Sequence, residues 1–169
     1  MAWLVEARRA SEVGPFGEGF QMSSDSLPNA KSARSPDERE KLQRVIVDRN
    51  LCGLANDTKW NELIGYMRAR ADWRPSYRYK CIDGPPSGWD VEWFYHLPFP
   101  LLSVEWLDIG YLQEIREARL PPRVSAIDHS VWMVPLLQQI GLDFRVGASM
   151  VRVFGYYPRS VELFDQECV

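Results

Sequence analysis

The hydrophobic positions begin with a helical stripe that follows a strong start signal. Residues 35–38 read Ser-Pro-Asp-Glu, which places Ser, Pro and Glu where a capping box and a first helical turn favour them. Leu42, Val45 and Ile46 follow at helical spacing. This pattern predicts a helix over residues 36–50.

A second helical stripe begins after Asn-Asp-Thr at residues 56–58, a sequence that favours a helix start. Its apolar side chains recur every three or four residues, as expected for one buried helix face; they are Trp60, Leu63, Ile64 and Met67. We expect this helix to end near Arg70, since basic residues suit a helix C-terminus.

Alternating apolar and polar residues then replace the helical spacing. Residues 76–82 and 90–96 both alternate, and the Gly- and Pro-rich segment 83–88 between them is typical of a turn. These segments predict a long β-hairpin. Residues 104–109 and 150–156 predict two further strands.

Two more helices are predicted between those last strands. Residues 112–118 favour a short helix ended by two prolines, and Asp128 can cap a helix that reaches Ile140 and ends at Gly141. Pro135 predicts either a kink in this helix or a start near residue 134, because an interior proline costs about 3 kcal/mol. The element order predicts an α+β fold with a mostly antiparallel sheet, two N-terminal helices and one or two helices before the last strand.

The N-terminal part differs from the rest in composition. Residues 1–34 are rich in Gly, Ser, Ala and Pro and show no periodicity, so we expect a disordered arm followed by a single domain over 35–169. The Met-Ser-Ser-Asp-Ser sequence at Met22 resembles a natural start. We therefore hold open whether Met1 or Met22 is the native first residue, which an intact-mass measurement would decide.

Charge is distributed unevenly along a chain whose net charge is only −3. Residues 59–80 carry six basic and two acidic side chains, whereas residues 81–115 carry no Lys or Arg. The second segment instead holds six acidic and seven aromatic residues. A surface of this kind repels nucleic acid and attracts basic proteins, and aromatic residues are typical of interface hot spots.

This composition favours a protein-binding surface within residues 81–115. On the predicted strand 90–96 the acidic side chains share a face with Phe94, and Trp89 follows an exposed turn. The residues we expect to contact a basic protein partner are Trp89, Asp90, Glu92, Phe94, Glu105 and Asp108. The basic and aromatic stretch 59–80 could instead bind nucleic acid, but the acidic segment beside it leads us to expect no nucleic-acid partner.

Asp90, Glu92 and His96 form the one candidate group for metal or acid–base chemistry, because they alternate on one face of the predicted strand. A solvated outer sheet face explains the same pattern. The adjacent residues 128–130 (Asp-His-Ser) point in different directions on a helix and do not form a relay. No phosphate-binding loop or CxxC pair is present. We therefore expect no catalytic residue, metal or cofactor.

Other sequence features point to the cytoplasm. The three cysteines are widely spaced, which indicates a reducing compartment. No apolar run approaches the roughly 20 residues of a membrane span, and the first ten residues lack a secretory core. We therefore expect no membrane partner, and the sequence leaves the oligomeric state open.

The chain resembles a group of small bacterial proteins of unknown function. The likeness rests on residues 56–63 (NDTKWNEL), residues 104–109 (VEWLDI) and the segments 140–142 and 151–156. Proteins of this type are often immunity partners of secreted toxins, so the resemblance implies a protein that binds and occludes a toxin. A small hydrolase that uses Asp90, Glu92 and His96, and a regulatory protein-binding module, are the alternatives.

Overall fold

A four-stranded antiparallel sheet lies at the centre of the computed structural model, which describes residues 27–117 and 123–165. In spatial order its strands are β2 (Tyr77–Cys81), β3 (Val104–Gly110), β7 (Met150–Phe154) and β6 (Phe144–Val146). Two small antiparallel ladders accompany the sheet. They join β1 (Cys52–Gly53) to β8 (Tyr156–Tyr157), and β4 (Leu112–Glu117) to β5 (Arg123–Asp128).

The two predicted N-terminal helices are confirmed as α1 (Pro36–Asp48) and α2 (Asp57–Ala69). The Asn56 side chain caps α2 by accepting the Lys59 N–H at 3.0 Å. The start of α1 differs from a capping box, because the Ser35 side chain accepts no capping bond and Glu38 instead accepts the Arg34 N–H at 2.7 Å.

The last predicted helix is confirmed as α3 (Ser130–Ile140), with Pro135 inside it and Gly141 in the left-handed conformation (φ 74°) at its end. Asp128 supports the start by accepting the Ser130 N–H at 2.8 Å. Pro135 lies in the second turn and removes only the bond that its own N–H would donate to an earlier carbonyl. Together with the short 3₁₀ helix Leu101–Ser103, these elements confirm the α+β fold class with antiparallel sheets.

Both faces of the central sheet are covered. Apolar side chains of α2 and α3 pack on one face, where they meet Leu107, Ile109, Val151 and Val153 from β3 and β7. The opposite face carries Trp106, Asp108, Arg152 and Phe154, all of them buried. The C-terminal segment 158–165 covers this second face, since Arg152 donates to the carbonyl of Glu162 at 2.7 Å. The inner strands β3 and β7 therefore have no solvated face of the kind that alternation suggested.

The predicted strand over residues 90–96 is wrong. Only Asp90 forms a β-bridge there, opposite Tyr77, and the chain then turns. The neighbour of β2 in the sheet is β3, which comes later in the chain. Alternation failed as a guide because Asp90 and Glu92 use their carboxylates to bind nearby backbone N–H groups, which favours turns over strands.

The predicted helix over residues 112–118 is also wrong. Leu112–Glu117 forms β4, which pairs along its full length with β5; residue 118 and the two prolines at 121–122 lie outside the described residues. The β-branched side chains of Val124 and Ile127 favour extended structure in the partner strand. A long-range pairing of this kind overrides the weak helical preference of a short segment.

Residues 27–34, which we assigned to the arm, pack against the domain. Ala30 is fully buried, donates its N–H to Asn61 Oδ1 at 2.8 Å and accepts the N–H of Leu101 at 3.0 Å. Arg68 also donates to the carbonyl of Pro28 at 2.8 Å. The folded part therefore begins before Ser35, and residues 1–26 lie outside the described residues.

Candidate functional site

The segment between β2 and β3 contains an acidic loop, which we define as residues 83–96. Two of its carboxylates hold its own backbone. Asp90 Oδ1 accepts the N–H groups of Val91 and Glu92 at 2.6 and 3.0 Å. Glu92 in turn accepts the N–H groups of Phe94, Tyr95 and His96 at 2.9, 2.7 and 3.0 Å. The loop is therefore fixed locally although it contains no strand or helix.

Contacts with the core anchor the acidic loop from beneath. Trp93 is fully buried, and its indole N–H donates to the carbonyl of Pro75 at 2.8 Å. Arg68 on α2 donates to the carbonyls of Trp93 and Phe94 at 2.9 and 2.8 Å. A loop anchored in this way presents its outer side chains in a defined arrangement.

The outer side of the acidic loop carries large apolar side chains. Trp89, Val91 and Tyr95 are 48%, 62% and 53% exposed. Arg78 supports the Trp89 ring from below, with its guanidinium carbon 4.9 Å from the ring centre. Phe94 is half-buried and lies 5.2 Å from the guanidinium carbon of Arg74. Exposed apolar groups on a fixed backbone are typical of a binding surface.

The charge of the acidic loop is uniformly negative. Between residues 83 and 96 the carboxylates are Asp83, Asp90 and Glu92, and no Lys or Arg is present. The hydrogen bond from the Glu92 N–H lowers the pKa of the Asp90 carboxyl below its usual value, and the bond from His96 adds a smaller effect in the same direction. Partial burial raises the pKa of Glu92, but its three backbone N–H donors outweigh this effect and lower the pKa overall. Both groups therefore stay ionised at neutral pH.

A cleft of about 900 Å³ lies between the acidic loop and the start of α1. Asp90 and His96 lie on its wall, and His96 Nδ1 is 2.8 Å from Asp90 Oδ2. The opposite side contributes Arg34, Glu38 and Lys41. The cleft is thus polar and of mixed charge, with one histidine–carboxylate pair.

Cys81 also lines the cleft. Burial raises the pKa of its thiol, against a smaller opposite effect of its hydrogen bond to Ser103 Oγ at 3.6 Å. A thiol with a raised pKa is a weak nucleophile at neutral pH. Across residues 27–117 and 123–165, no group of three His, Cys, Asp or Glu side chains is arranged to hold a metal ion.

Four of the six predicted contact residues lie together on the acidic loop, namely Trp89, Asp90, Glu92 and Phe94. Glu105 and Asp108 do not belong to this surface, which corrects the predicted set. Glu105 is buried and pairs with Arg49 at 3.1 Å, and Asp108 is fully buried between Arg78 and Arg152. Their strand lies in the middle of the sheet, where acidic side chains need cationic partners.

The sequence pattern did not identify Val91 and Tyr95 as surface residues. It placed both on the same strand face as Trp93, whereas the turn at Asp90 separates them and sends only Trp93 into the core. The only hint of this turn in the sequence was the presence of carboxylates close to turn-forming residues. Whether such carboxylates bind the backbone depends on their side-chain conformation, which a sequence pattern does not show.

A cluster of aromatic rings around His129 joins three segments that are distant in the chain. The rings of Trp73 and His129 stack with centres 3.9 Å apart, and the Trp132 indole N–H donates to His129 Nδ1 at 3.0 Å. The other ring nitrogen of His129 lies 2.9 Å from Gln113 Oε1. This arrangement fixes a neutral His129 with its proton on Nε2.

Comparison with known proteins gives one family. Residues 42–160 match a family of unknown function (DUF6678), so the chain belongs to that family. No curated protein and no solved structure matches the chain. Among the described residues, no helix is both long and apolar enough to cross a bilayer.

Proposed function

We propose that this member of the family binds a basic protein partner through the acidic loop and acts as an immunity protein that occludes a cognate toxin. The observation that carries the proposal is the acidic loop itself, whose exposed Trp89, Val91 and Tyr95 stand on a backbone fixed by Asp90 and Glu92. Apolar side chains that stay exposed on an ordered backbone suit a binding function.

The loop would contribute to binding in two ways. Its carboxylates attract a basic partner over a distance comparable with the Debye length and so raise the association rate. Trp89 and Tyr95 then lose water against the partner and slow dissociation, as aromatic hot spots do. Because the backbone is already ordered, little conformational entropy is lost on binding.

Occlusion of a toxin follows from the same chemistry. Enzymes that act on nucleic acid carry basic active-site surfaces, because they must bind phosphates. An acidic, aromatic loop is complementary to such a surface and can cover it without any catalytic step. This class of partner accounts for the absence of Lys and Arg from residues 83–96.

A survival assay tests the proposal directly. Cells that express the product of the neighbouring gene are tested for growth with and without this protein. We expect the wild type to rescue growth, and Trp89→Ala combined with Asp83→Lys to abolish rescue. The controls are Tyr157→Ala and Glu40→Lys, which change an exposed aromatic and an exposed acid elsewhere. Rescue by the loop variant, or no binding of the wild type to the neighbouring product, would contradict the proposal.

A second candidate is an acid–base hydrolase, which the Asp90–His96 contact favours. Asp90 would orient the imidazole, and the exposed His96 would exchange a proton with a substrate in the adjacent cleft. Glu92 contributes little here, because its carboxylate accepts three backbone N–H groups. In this case His96→Ala abolishes turnover of the substrate while Trp89→Ala leaves it intact, the reverse of what binding by the loop requires. A regulatory module would share the loop surface and differ only in the identity of its partner.

A further inference from the structure

The β4–β5 hairpin projects from the domain with little support. Every residue of β5 is exposed, and on β4 the exposed side chains are Leu112, Glu114, Ile115 and Arg116. Within the described residues each of these strands pairs only with the other. No strand of residues 27–117 or 123–165 covers either outer edge of the hairpin, and such an edge is the usual template for a further strand.

Each face of the hairpin also carries exposed apolar side chains. Residues opposite each other in the ladder share a face, so Leu112 and Val124 lie on one face and Ile115 and Ile127 on the other. All four side chains are more than a third exposed. A two-stranded hairpin is marginally stable without a third strand or a packed face. Its ordered pairing over six residue pairs thus calls for an additional partner.

We propose that the partner is a second copy of this chain, which pairs its β4 edge antiparallel with the β4 edge of the first copy. The resulting four-stranded sheet has the order β5-β4-β4-β5 across a two-fold axis. Ile115 lies at the centre, opposite Ile115 of the second copy. Glu114 then faces Arg116 of the second copy, and the symmetry repeats this pair with the roles exchanged.

Symmetry and charge together select this register. A two-fold axis perpendicular to a sheet keeps each side chain on its own face, so opposite positions differ by an even number of residues. Moving the axis one residue toward Glu114 places Glu114 against itself. Moving it one residue toward Arg116 places Arg116 against itself. Like charges directly opposite destabilise a sheet, so the register centred on Ile115 is the most favourable of these three.

The β5 edge offers no comparable match. A symmetric register centred on Ser125 places Arg123 opposite Ile127. One centred on Ala126 places Val124 opposite Asp128. Neither register pairs opposite charges. The complementarity therefore lies on the β4 edge, which shares no residue with the acidic loop.

Sedimentation equilibrium over a range of protein concentrations and at low salt tests the proposal. We expect the wild type to form a reversible dimer. Glu114→Arg and Arg116→Glu each place like charges opposite each other twice per dimer, and each should raise the dissociation constant about tenfold or more. The double variant E114R/R116E restores both pairs and should recover wild-type association.

Mixing the two single variants gives the sharper result. E114R carries two basic residues at these positions and R116E carries two acidic ones, so their heterodimer regains both ion pairs. We expect the mixture to dimerise although neither variant does so alone. A folding defect would not produce this recovery, and thermal unfolding of each variant checks the fold independently.

Glu40→Arg, on the exposed surface of α1, serves as the matched control and should leave association unchanged. A wild type that stays monomeric at every concentration would overturn the proposal, as would a dimer that E114R does not weaken. A dimer whose charge variants show no recovery on mixing would place the contact on another surface and also overturn it.

Discussion

Asp108 on β3 and Arg152 on β7 lie opposite each other in the sheet, and both side chains are fully buried. Arg152 donates two hydrogen bonds to the carboxylate, from Nε at 2.6 Å and from Nη2 at 2.8 Å. Its remaining nitrogen donates to the carbonyls of Ser160 and Glu162. One guanidinium therefore joins the centre of the sheet to the C-terminal segment that covers it.

Asp108→Asn should destabilise the protein by about 3–5 kcal/mol, because it leaves buried arginine charge without its carboxylate. The control is Asp143→Asn, which breaks a pair with the exposed Arg159 at 2.6 Å and should cost much less, because solvent screens that pair. Urea unfolding measures both free energies. Equal losses for the two variants would show that burial does not set the strength of the Asp108 pair.

Glu92→Gln should loosen the acidic loop, because only one of the two terminal atoms of an amide accepts hydrogen bonds. We expect faster hydrogen exchange at the N–H groups of Phe94, Tyr95 and His96, with Asp83→Asn as the control. The folded pKa of Glu92 lies below its ordinary value of 4.5. Its stabilisation is therefore complete above about pH 4.5 and is lost as the pH falls through that lower pKa. Unchanged exchange in E92Q would remove the carboxylate as the source of order in the loop.

Acidification should weaken the cluster around His129. Partial burial and then Arg70 lower the pKa of His129 below its ordinary value of 6.5. The folded state favours the neutral ring, so its stabilising effect is complete above about pH 6.5 and declines as the pH falls toward the folded pKa. Urea midpoints at about pH 7.5 and about pH 5.5 measure this decline. His129→Phe keeps an aromatic ring against Trp73 and should reduce the pH dependence, whereas an unchanged slope would assign it to other groups.

Gly155→Ala should destabilise the protein by about 1–3 kcal/mol. A Cβ at this position would lie 2.0 Å from the Val104 carbonyl oxygen, so the strand junction between β7 and β8 would have to move. Gly65→Ala is the control, because its added Cβ has no atom within 4 Å beyond the neighbouring helix backbone, and alanine favours the α2 helix by about 1 kcal/mol. Thermal unfolding should show shifts of opposite sign; a stable G155A would mean that the junction relaxes freely.

The sequence by itself determined the elements whose pattern depends on local preference and burial of one face. The apolar stripe from Trp60 to Met67 and the Asn56 cap specify α2 within one residue of its observed bounds. The strand predicted over residues 104–109 likewise matches β3 (Val104–Gly110) within one residue. The sequence also assigned Trp89, Asp90, Glu92 and Phe94 to one surface segment, because these residues are close in the chain.

Only the tertiary structure decided which acidic residues are exposed and which segments pair. The sequence pattern does not distinguish Asp108 from Asp90. In the structure Asp108 is buried and pairs with Arg78 and Arg152, whereas Asp90 accepts backbone N–H groups of its own turn. Likewise β4 became a strand because β5 supplies its hydrogen bonds. Partners of this kind come from distant parts of the chain, and local periodicity carries no information about them.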